Sequence, residues 1–256
     1  PMLAMRVARP NMLIDINSIA ELSGIEKTNE EIIIKACTRQ ADAINSPVIQ
    51  TCLPLLAYAL TFVGHSQTRN RGTIGGSLAH ADPASEIPLV ALAMNAEICL
   101  QSLTSSRRVS AAEFFLGPMM TAREPTELLA SLHFPLSEAG TLVGTGFHEM
   151  SERHGDFALV AVATRIEFDE QGTCLDAAVA FGGVDDTPVR IEQLENKLRA
   201  GAINETDMES ALSEIFDRIS PATDQHATAA YRKRIAIVLA RRAINDAVKT
   251  AKRSAA

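Results

Sequence analysis

No Cys-x-x-Cys pair occurs in this chain, and its four cysteines, Cys37, Cys52, Cys99 and Cys174, are scattered. Such spacing assembles neither an iron–sulfur nor a zinc ligand set, and free thiols of this kind suit a reducing compartment, the cytoplasm. Histidines 65, 80, 133, 154 and 226 form no metal spacing either. Positive charge is short as well. The 31 Asp and Glu residues outnumber the 24 Lys and Arg residues, and the net charge of −7 argues against nucleic acid as a partner. No apolar run approaches the ~20 residues of a membrane span. A basic segment followed by an apolar stretch, the mark of a signal peptide, is not visible. The Gly-Lys-Ser/Thr of a P-loop and the Gly-x-Gly-x-x-Gly of a nicotinamide dinucleotide site are both missing. Gly144-Thr145-Gly146 begins the second pattern but continues Phe-His-Glu, so it reads as strand glycine.

What remains is a globular composition, 46% hydrophobic over 256 residues, enough for one large domain or two modest ones. Strands are expected over Met12–Ile16, over Glu31–Ala36 with its three isoleucines, over Ala96–Leu103 and over Glu127–Phe134. Pro54 opens an expected helix that runs to Val63, with Gly64 past its end. Ser18-Ile-Ala-Glu21 and Ser110-Ala-Ala-Glu113 spell capping boxes. A change comes near Ser137–Gly140. Beyond it, Thr141–Met150, Phe157–Phe168 and Cys174–Phe181 predict a three-stranded antiparallel meander, turned at Asp169–Gly172. Helices are expected over Ile191–Ala200, Met208–Ile219 and Ala229–Val248. The fold class is α+β: an α/β first part, residues 1–138, then a sheet followed by helices, residues 139–256.

The informative stretch is Arg69-Asn-Arg-Gly-Thr-Ile-Gly-Gly-Ser-Leu-Ala-His-Ala-Asp-Pro-Ala-Ser-Glu-Ile-Pro88. Glycine takes positive φ freely and lets a ligand approach the main chain. A Gly-Thr-Ile-Gly-Gly-Ser turn can present successive N–H groups to a phosphate, with the Thr73 and Ser77 hydroxyls as further donors. By itself such a turn is also an ordinary loop.

Its context resolves the ambiguity. Val63–Pro88 resembles the second flavin-binding segment of the FAD subunits of molybdenum hydroxylases, the medium subunits of the xanthine dehydrogenase and carbon monoxide dehydrogenase family. Further matches follow in order: MRVARP before LIDIN, FFLGP at 114–118, ELLASLHFP at 127–135, RHGDFALV at 153–160, FGGVDDTPVR at 181–190 and DQHATAAYRKRIAIVLARRA at 224–243. The resemblance spans essentially the whole chain.

The resemblance implies a two-subdomain α/β FAD-binding domain of the PCMH/vanillyl-alcohol-oxidase-like kind, followed by a C-terminal three-stranded sheet with a helical bundle. It implies FAD as cofactor. Backbone N–H groups of Thr73, Ile74, Gly75, Gly76 and Ser77 would face the pyrophosphate, Glu86 would accept from sugar hydroxyls, and Leu129 would touch the flavin. On the first strand of the C-terminal domain a polar residue would approach the ring, with His148 and Glu149 as candidates; some relatives carry Lys at the His148 position, and an exposed structural histidine is the competing reading. The family's first glycine-rich loop precedes the Met-x-x-Arg stretch and is not among these residues, and the chain opens on Pro1. Two readings stay open, a fragment of a complete subunit or a naturally short chain; for these residues by themselves the expectation is a truncated first subdomain that holds FAD weakly. Lys35 stands where relatives often carry Gly.

By the same resemblance, a large partner subunit carries the molybdenum cofactor and hydroxylates substrate, and a small partner subunit carries [2Fe-2S] clusters. Electrons reach FAD in this chain and leave to an external acceptor, so no catalytic acid, base or nucleophile and no metal are expected here. The competing reading is a non-catalytic or FAD-free assembly subunit, which the missing loop favours and the intact Thr73–Ser77 turn and Glu86 oppose.

Overall fold

The computed structural model describes residues 3–200, 203 and 205–254; Pro1 lies outside them. The first part is built on β1 (Ile25–Lys27), β2 (Glu31–Lys35), β3 (Glu97–Gln101), β4 (Ser106–Ser110), a two-stranded ribbon of β5 (Phe115–Gly117) and β6 (Met120–Thr121), and β7 (Leu128–Pro135). Five of these form one sheet in the order β1-β2-β7-β3-β4. Every pairing in it is antiparallel, so the α/β expectation gives way to an antiparallel sheet with helices against it.

Alternation explains β2. Ile32 and Ile34 point into the core opposite Phe134 and Leu132 of β7, and all four are fully buried. Ile33 takes the other face opposite His133. The helices are α1 (Gln40–Asn45), α2 (Pro47–Cys52), α3 (Pro54–Ala59), α4 (Ser66–Arg71), α5 (Ile74–His80), α6 (Glu86–Ala93) and the single turn α7 (Ala111–Phe114). Proline stands at the first turn of α2 and of α3, where its missing N–H has no intrahelical partner to lose. The α3 helix stops at Ala59, short of Val63, because the chain turns through Leu60–Val63 into Gly64 at φ +47°. α6 is apolar after its first residue, Glu86, and every residue of it is buried.

Other expectations fail locally. Met12–Ile16 forms no strand, and Met12, Leu13 and Ile14 are exposed. Ser18–Glu21 leads into the single turn that the nearby Gly24 allows, a 3-10 turn at Ala20–Leu22, but without the side-chain cap its spelling suggests. At Ser110 the hydroxyl donates to Glu113 Oε2 at 2.7 Å, so the two capping-box side chains satisfy each other rather than the backbone.

The second part holds β8 (Leu142–Met150), β9 (Val160–Phe168), β10 (Cys174–Gly182) and β11 (Val189–Arg190) in the order β11-β10-β9-β8. The meander is as expected, but two residues of β11 pair with Ala180 and Phe181 and make the sheet four-stranded. Against it lie α8 (Glu192–Arg199), α9 (Glu205–Ser213), α10 (Ile215–Arg218) and α11 (Ala229–Ser254). The helix expected over Met208–Ile219 is thus broken at Glu214. α11 lies on β8 and β9 through Ala240, Ala243 and Ala247, all buried in the second core. The two parts are joined by packing as well: Phe147, Ala161, Ala163 and Ala180 of the second sheet belong to the core of the first.

Candidate cofactor-binding site

The glycine turn reaches its place through two strand-like contacts. Gln40 N–H donates to the Gly72 carbonyl, and Ile74 N–H to the Thr38 carbonyl at 2.9 Å. Gly75 N–H donates to the Ala36 carbonyl at 2.9 Å. Thr73 then caps α5: its hydroxyl accepts from Gly76 N–H at 3.0 Å. These bonds revise the expected row of free donors. Ile74 and Gly75 direct their N–H groups into the protein, and Ser77 N–H bonds the Thr73 carbonyl. Ile74 itself is wholly buried, a packing residue under the turn.

Neither Gly75 nor Gly76 has the positive φ that a glycine-rich turn suggests. Gly75 is required by proximity instead. A Cβ there would lie 2.5 Å from Ala36 Cβ and 2.7 Å from its Cα. At Gly76 a Cβ would meet only the Thr73 side chain, its hydroxyl at 2.7 Å, and the residue is exposed.

Thr73, Gly75 and Gly76 line an open concavity of about 390 Å³ together with Leu129 of β7. Ile16, Ala36, Cys37 and Leu128 give it an apolar wall, and Arg39, Arg71 and Arg123 bring three guanidinium groups. Arg39 is braced by bonds to the Arg71 carbonyl and, at 2.8 Å, to Asn17 Oδ1. Arg123 is braced by the Glu124 and Glu127 carbonyls. Arg71 makes no side-chain hydrogen bond among the described residues. Nearby, Asp15 is held below the usual carboxylate range by the backbone and side-chain N–H groups of Asn17, and further by Arg39 and Arg71. The Glu127 carboxylate in the wall is held low chiefly by Arg107, with which it forms a bidentate pair. With that charge neutralised, the concavity is net positive. The three arginines went unread in the sequence. Arg71 carries a local signal, two residues before Thr73; Arg39 and Arg123 carry none, because only folding brings them to the turn.

The other named residues lie elsewhere. Ser77, half-buried on α5, and Glu86 are not in the lining of this concavity. Glu86 is the first residue of α6, 7% exposed, and burial with nearby Asp82 raises its carboxyl to about 7. Beside it is Glu149 of β8, raised to about 8 by burial and then by the Glu86 charge. His148 does not join them. It is one residue along the same strand and bonds Asp246 of α11 through Nε2 at 2.8 Å, on the opposite face.

Both carboxyls hold protons in the fold that an unfolded chain releases near its ordinary value of 4.5. Their contribution to stability is therefore fully present below about pH 4.5 and is lost as pH rises through 7 to 8. Thermal unfolding is expected to show a lower midpoint at pH 8.5 than at pH 5.5, and Glu149→Gln to narrow the gap. An unchanged gap in that variant would remove Glu149 from the account.

Among the described residues no group of three or more His, Cys, Asp and Glu side chains could hold a metal ion, and no helix is long and apolar enough to cross a membrane.

Comparison with known proteins places this geometry in a family. Residues 1–137 match the family described as FAD binding domain in molybdopterin dehydrogenase, and residues 145–247 match the CO dehydrogenase flavoprotein C-terminal domain. The alpha subunit of the 6-hydroxypseudooxynicotine dehydrogenase complex of Paenarthrobacter nicotinovorans is 35% identical over 252 residues, covering 98% of this chain and 84% of that one. The carbon monoxide dehydrogenase medium chain of Hydrogenophaga pseudoflava is 34% identical over 247 residues, 96% of this chain and 85% of that one. A solved carbon monoxide dehydrogenase from the same organism superposes with a TM-score of 0.93 at 35% identity, covering 98% of this chain and 86% of its own. The chain therefore belongs to the FAD-binding medium subunits of the molybdenum hydroxylase family, the oxidoreductase subunits typified by carbon monoxide dehydrogenase and xanthine dehydrogenase.

Proposed function

We propose that this chain is the flavoprotein subunit of a multi-subunit molybdenum hydroxylase. It takes electrons from [2Fe-2S] clusters of a small partner subunit onto FAD and passes them to an external acceptor, while a large partner subunit with the molybdenum cofactor hydroxylates substrate. The location is cytoplasmic, and the FAD-binding and C-terminal domains divide near residue 138, the first as part of a two-subdomain unit. The observation that carries the reading is the positive concavity at the Thr73–Gly76 turn.

The residues present fit the cofactor. A pyrophosphate is an anion with several acceptor oxygens, and the concavity offers Arg39, Arg71, Arg123 and the Thr73 hydroxyl beside an apolar wall that ends in Leu129. The open rim at Gly76 leaves room for a ligand where a side chain would stand. Bound FAD supplies the redox chemistry, exchanging electrons singly or in pairs. The chain's own residues bind and orient. Arg39 and Arg123, fixed by backbone carbonyls, set a rigid charge, and Arg71 remains free to close on an anion. The FAD-free assembly reading is not favoured, because an assembly surface has no use for a positive concavity around a glycine turn.

The test is FAD titration of the purified protein, followed by flavin fluorescence quenching. Saturable binding is expected. Arg71→Ala should weaken it by roughly 10- to 100-fold, the loss of one charged hydrogen bond at about 1.5–3 kcal/mol, with little change in melting temperature. Higher salt should shrink the difference. Equal affinity in variant and parent would take Arg71 out of the site, and no binding by the parent would sink the flavoprotein reading.

A further inference from the structure

We propose that Ser131, His133 and Glu31 form a separate hydrolytic site on the outer face of the first sheet, with Ser131 as nucleophile, His133 as its base and Glu31 as the group that orients the base. Its substrate class is a small carboxylic ester. Such a nucleophile departs from the expectation that the chain carries none.

Strand alternation builds the site. On β7, Leu132 and Phe134 point into the core, so Ser131 and His133 share the opposite face. On β2, Ile32 and Ile34 point into the core, so Glu31, Ile33 and Lys35 share that same outer face. The register sets Ile33 opposite His133 and Lys35 opposite Ser131. A carboxylate is thus brought near the imidazole and an ammonium near the hydroxyl.

Ser131 Oγ lies 2.9 Å from His133 Nε2, and His133 Nδ1 lies 3.0 Å from Glu31 Oε1. Arg108 of β4 donates to both oxygens of Glu31 at 2.9 Å and holds its carboxyl below the usual range. An ionised Glu31 only accepts, so in the neutral ring Nδ1 carries the proton. Nε2 is then the acceptor, and the Ser131 hydroxyl donates to it. A serine hydroxyl on an imidazole that a carboxylate orients is the arrangement that activates serine nucleophiles on unrelated folds.

Mutual satisfaction of buried polar groups would account for these bonds in a closed cluster. This cluster is open. Ser131 and His133 line a concavity of about 570 Å³, room for a small ligand, together with Lys35, Cys99 and Arg108. None of its lining residues lines the concavity at Thr73. Lys35 pairs with exposed Glu26 at 3.5 Å, and its ammonium lies on the same wall as Ser131, where an ester carbonyl oxygen would turn negative.

The chemistry balances with water alone as co-reactant. The Ser131 O–H bond breaks as Oγ bonds the carbonyl carbon, and the proton passes to His133 Nε2. The carbonyl oxygen becomes negative beside Lys35. Its collapse breaks the bond to the leaving oxygen, which takes the proton from Nε2 and departs as the alcohol. Water then repeats the sequence on the acyl-serine, releasing the acid and restoring the hydroxyl. Nothing is oxidised or reduced.

The test treats the full chain with a fluorophosphonate probe, which bonds activated serines through phosphorus with loss of fluoride, and locates the adduct by mass spectrometry. A single adduct is expected, on Ser131, and none after heat unfolding. p-Nitrophenyl acetate should give a stoichiometric burst of p-nitrophenolate. Ser131→Ala should abolish labelling and burst. His133→Gln should slow labelling by roughly 100-fold or more, and Lys35→Met by roughly tenfold or more. Glu31→Gln should slow labelling by roughly tenfold or more while the burst keeps its size, whereas a loss of fold would shrink the burst. Melting temperatures within a few degrees of the parent's show that the variants are folded. The site is overturned if the probe leaves Ser131 of the parent unmodified, a result that needs no variant, or if folded His133→Gln labels as fast as the parent.

Discussion

Gly75→Val is expected to unfold the turn, whereas Gly76→Val leaves the fold standing and impairs FAD binding alone. The two glycines are adjacent and look interchangeable in the sequence. Their surroundings differ. A Cβ at Gly75 would stand 2.5 Å from Ala36 Cβ, 2.7 Å from its Cα and 2.8 Å from its carbonyl oxygen. Part of that obstacle is backbone, anchored by β2 on one side and by the Gly75 N–H bond to Ala36 on the other, so nothing nearby gives way. Overpacking of this kind costs about 1–3 kcal/mol or more. In a protein of this size that lowers the melting temperature by roughly 2–12 °C. At Gly76 the nearest atom is the rotatable Thr73 hydroxyl at 2.7 Å. Displacing it weakens one helix cap, about 1 kcal/mol, and places a side chain on the open rim of the concavity. FAD affinity should then drop at least tenfold with the melting temperature changed by only a few degrees. Melting curves beside FAD titrations separate the two outcomes. Parent-like FAD affinity in Gly76→Val would show that the rim does not face the ligand.

The same pair of residues shows how far the sequence could be read. Glycine at 75 and 76 was legible as a demand for a bare backbone, and the family resemblance attached the demand to FAD. The cause at Gly75 was not legible, since Ala36 is distant in sequence and meets it only after β2 and α5 pack. Arg39 and Arg123 were invisible for the same reason. The C-terminal strands were legible because alternation and the Asp169–Gly172 turn are local signals. β11 was not, being two residues long and defined only by its partners Ala180 and Phe181. The apolar Met12–Ile16 run misled because strand propensity does not supply a neighbouring strand. At Glu149 the sequence allowed either of two neighbours, and a single bond from His148 to Asp246 separates them.

Gly146→Ala is expected to be the most damaging single-methyl change in the second part. The Gly144-Thr145-Gly146 stretch, which carries half of a dinucleotide fingerprint, works as a landing strip for α11. A Cβ at Gly146 would lie 2.0 Å from the Ala243 carbonyl oxygen, and one at Gly144 would lie 1.9 Å from that of Ala247. The facing helix residues Ala243 and Ala247 are fully buried, so helix and strand meet backbone to backbone. Restoring ordinary contact requires α11 to move off β8 by more than an ångström. The helix has 26 residues and packs on β9 as well, so the shift opens gaps along Ala240, Ile244 and Ala251. Asp246 rides on α11, so its bond to His148 stretches too. Overpacking and lost contact together should exceed about 3 kcal/mol, a fall in melting temperature of roughly 6–12 °C. Gly144→Ala should cost a similar amount. The double variant should cost less than the sum, because one displacement of the same helix accommodates both methyl groups. Thermal unfolding of the three variants measures this directly. A Gly146→Ala protein that melts within about 2 °C of the parent, or a double variant that is strictly additive, would show that the helix does not rest on these two glycines.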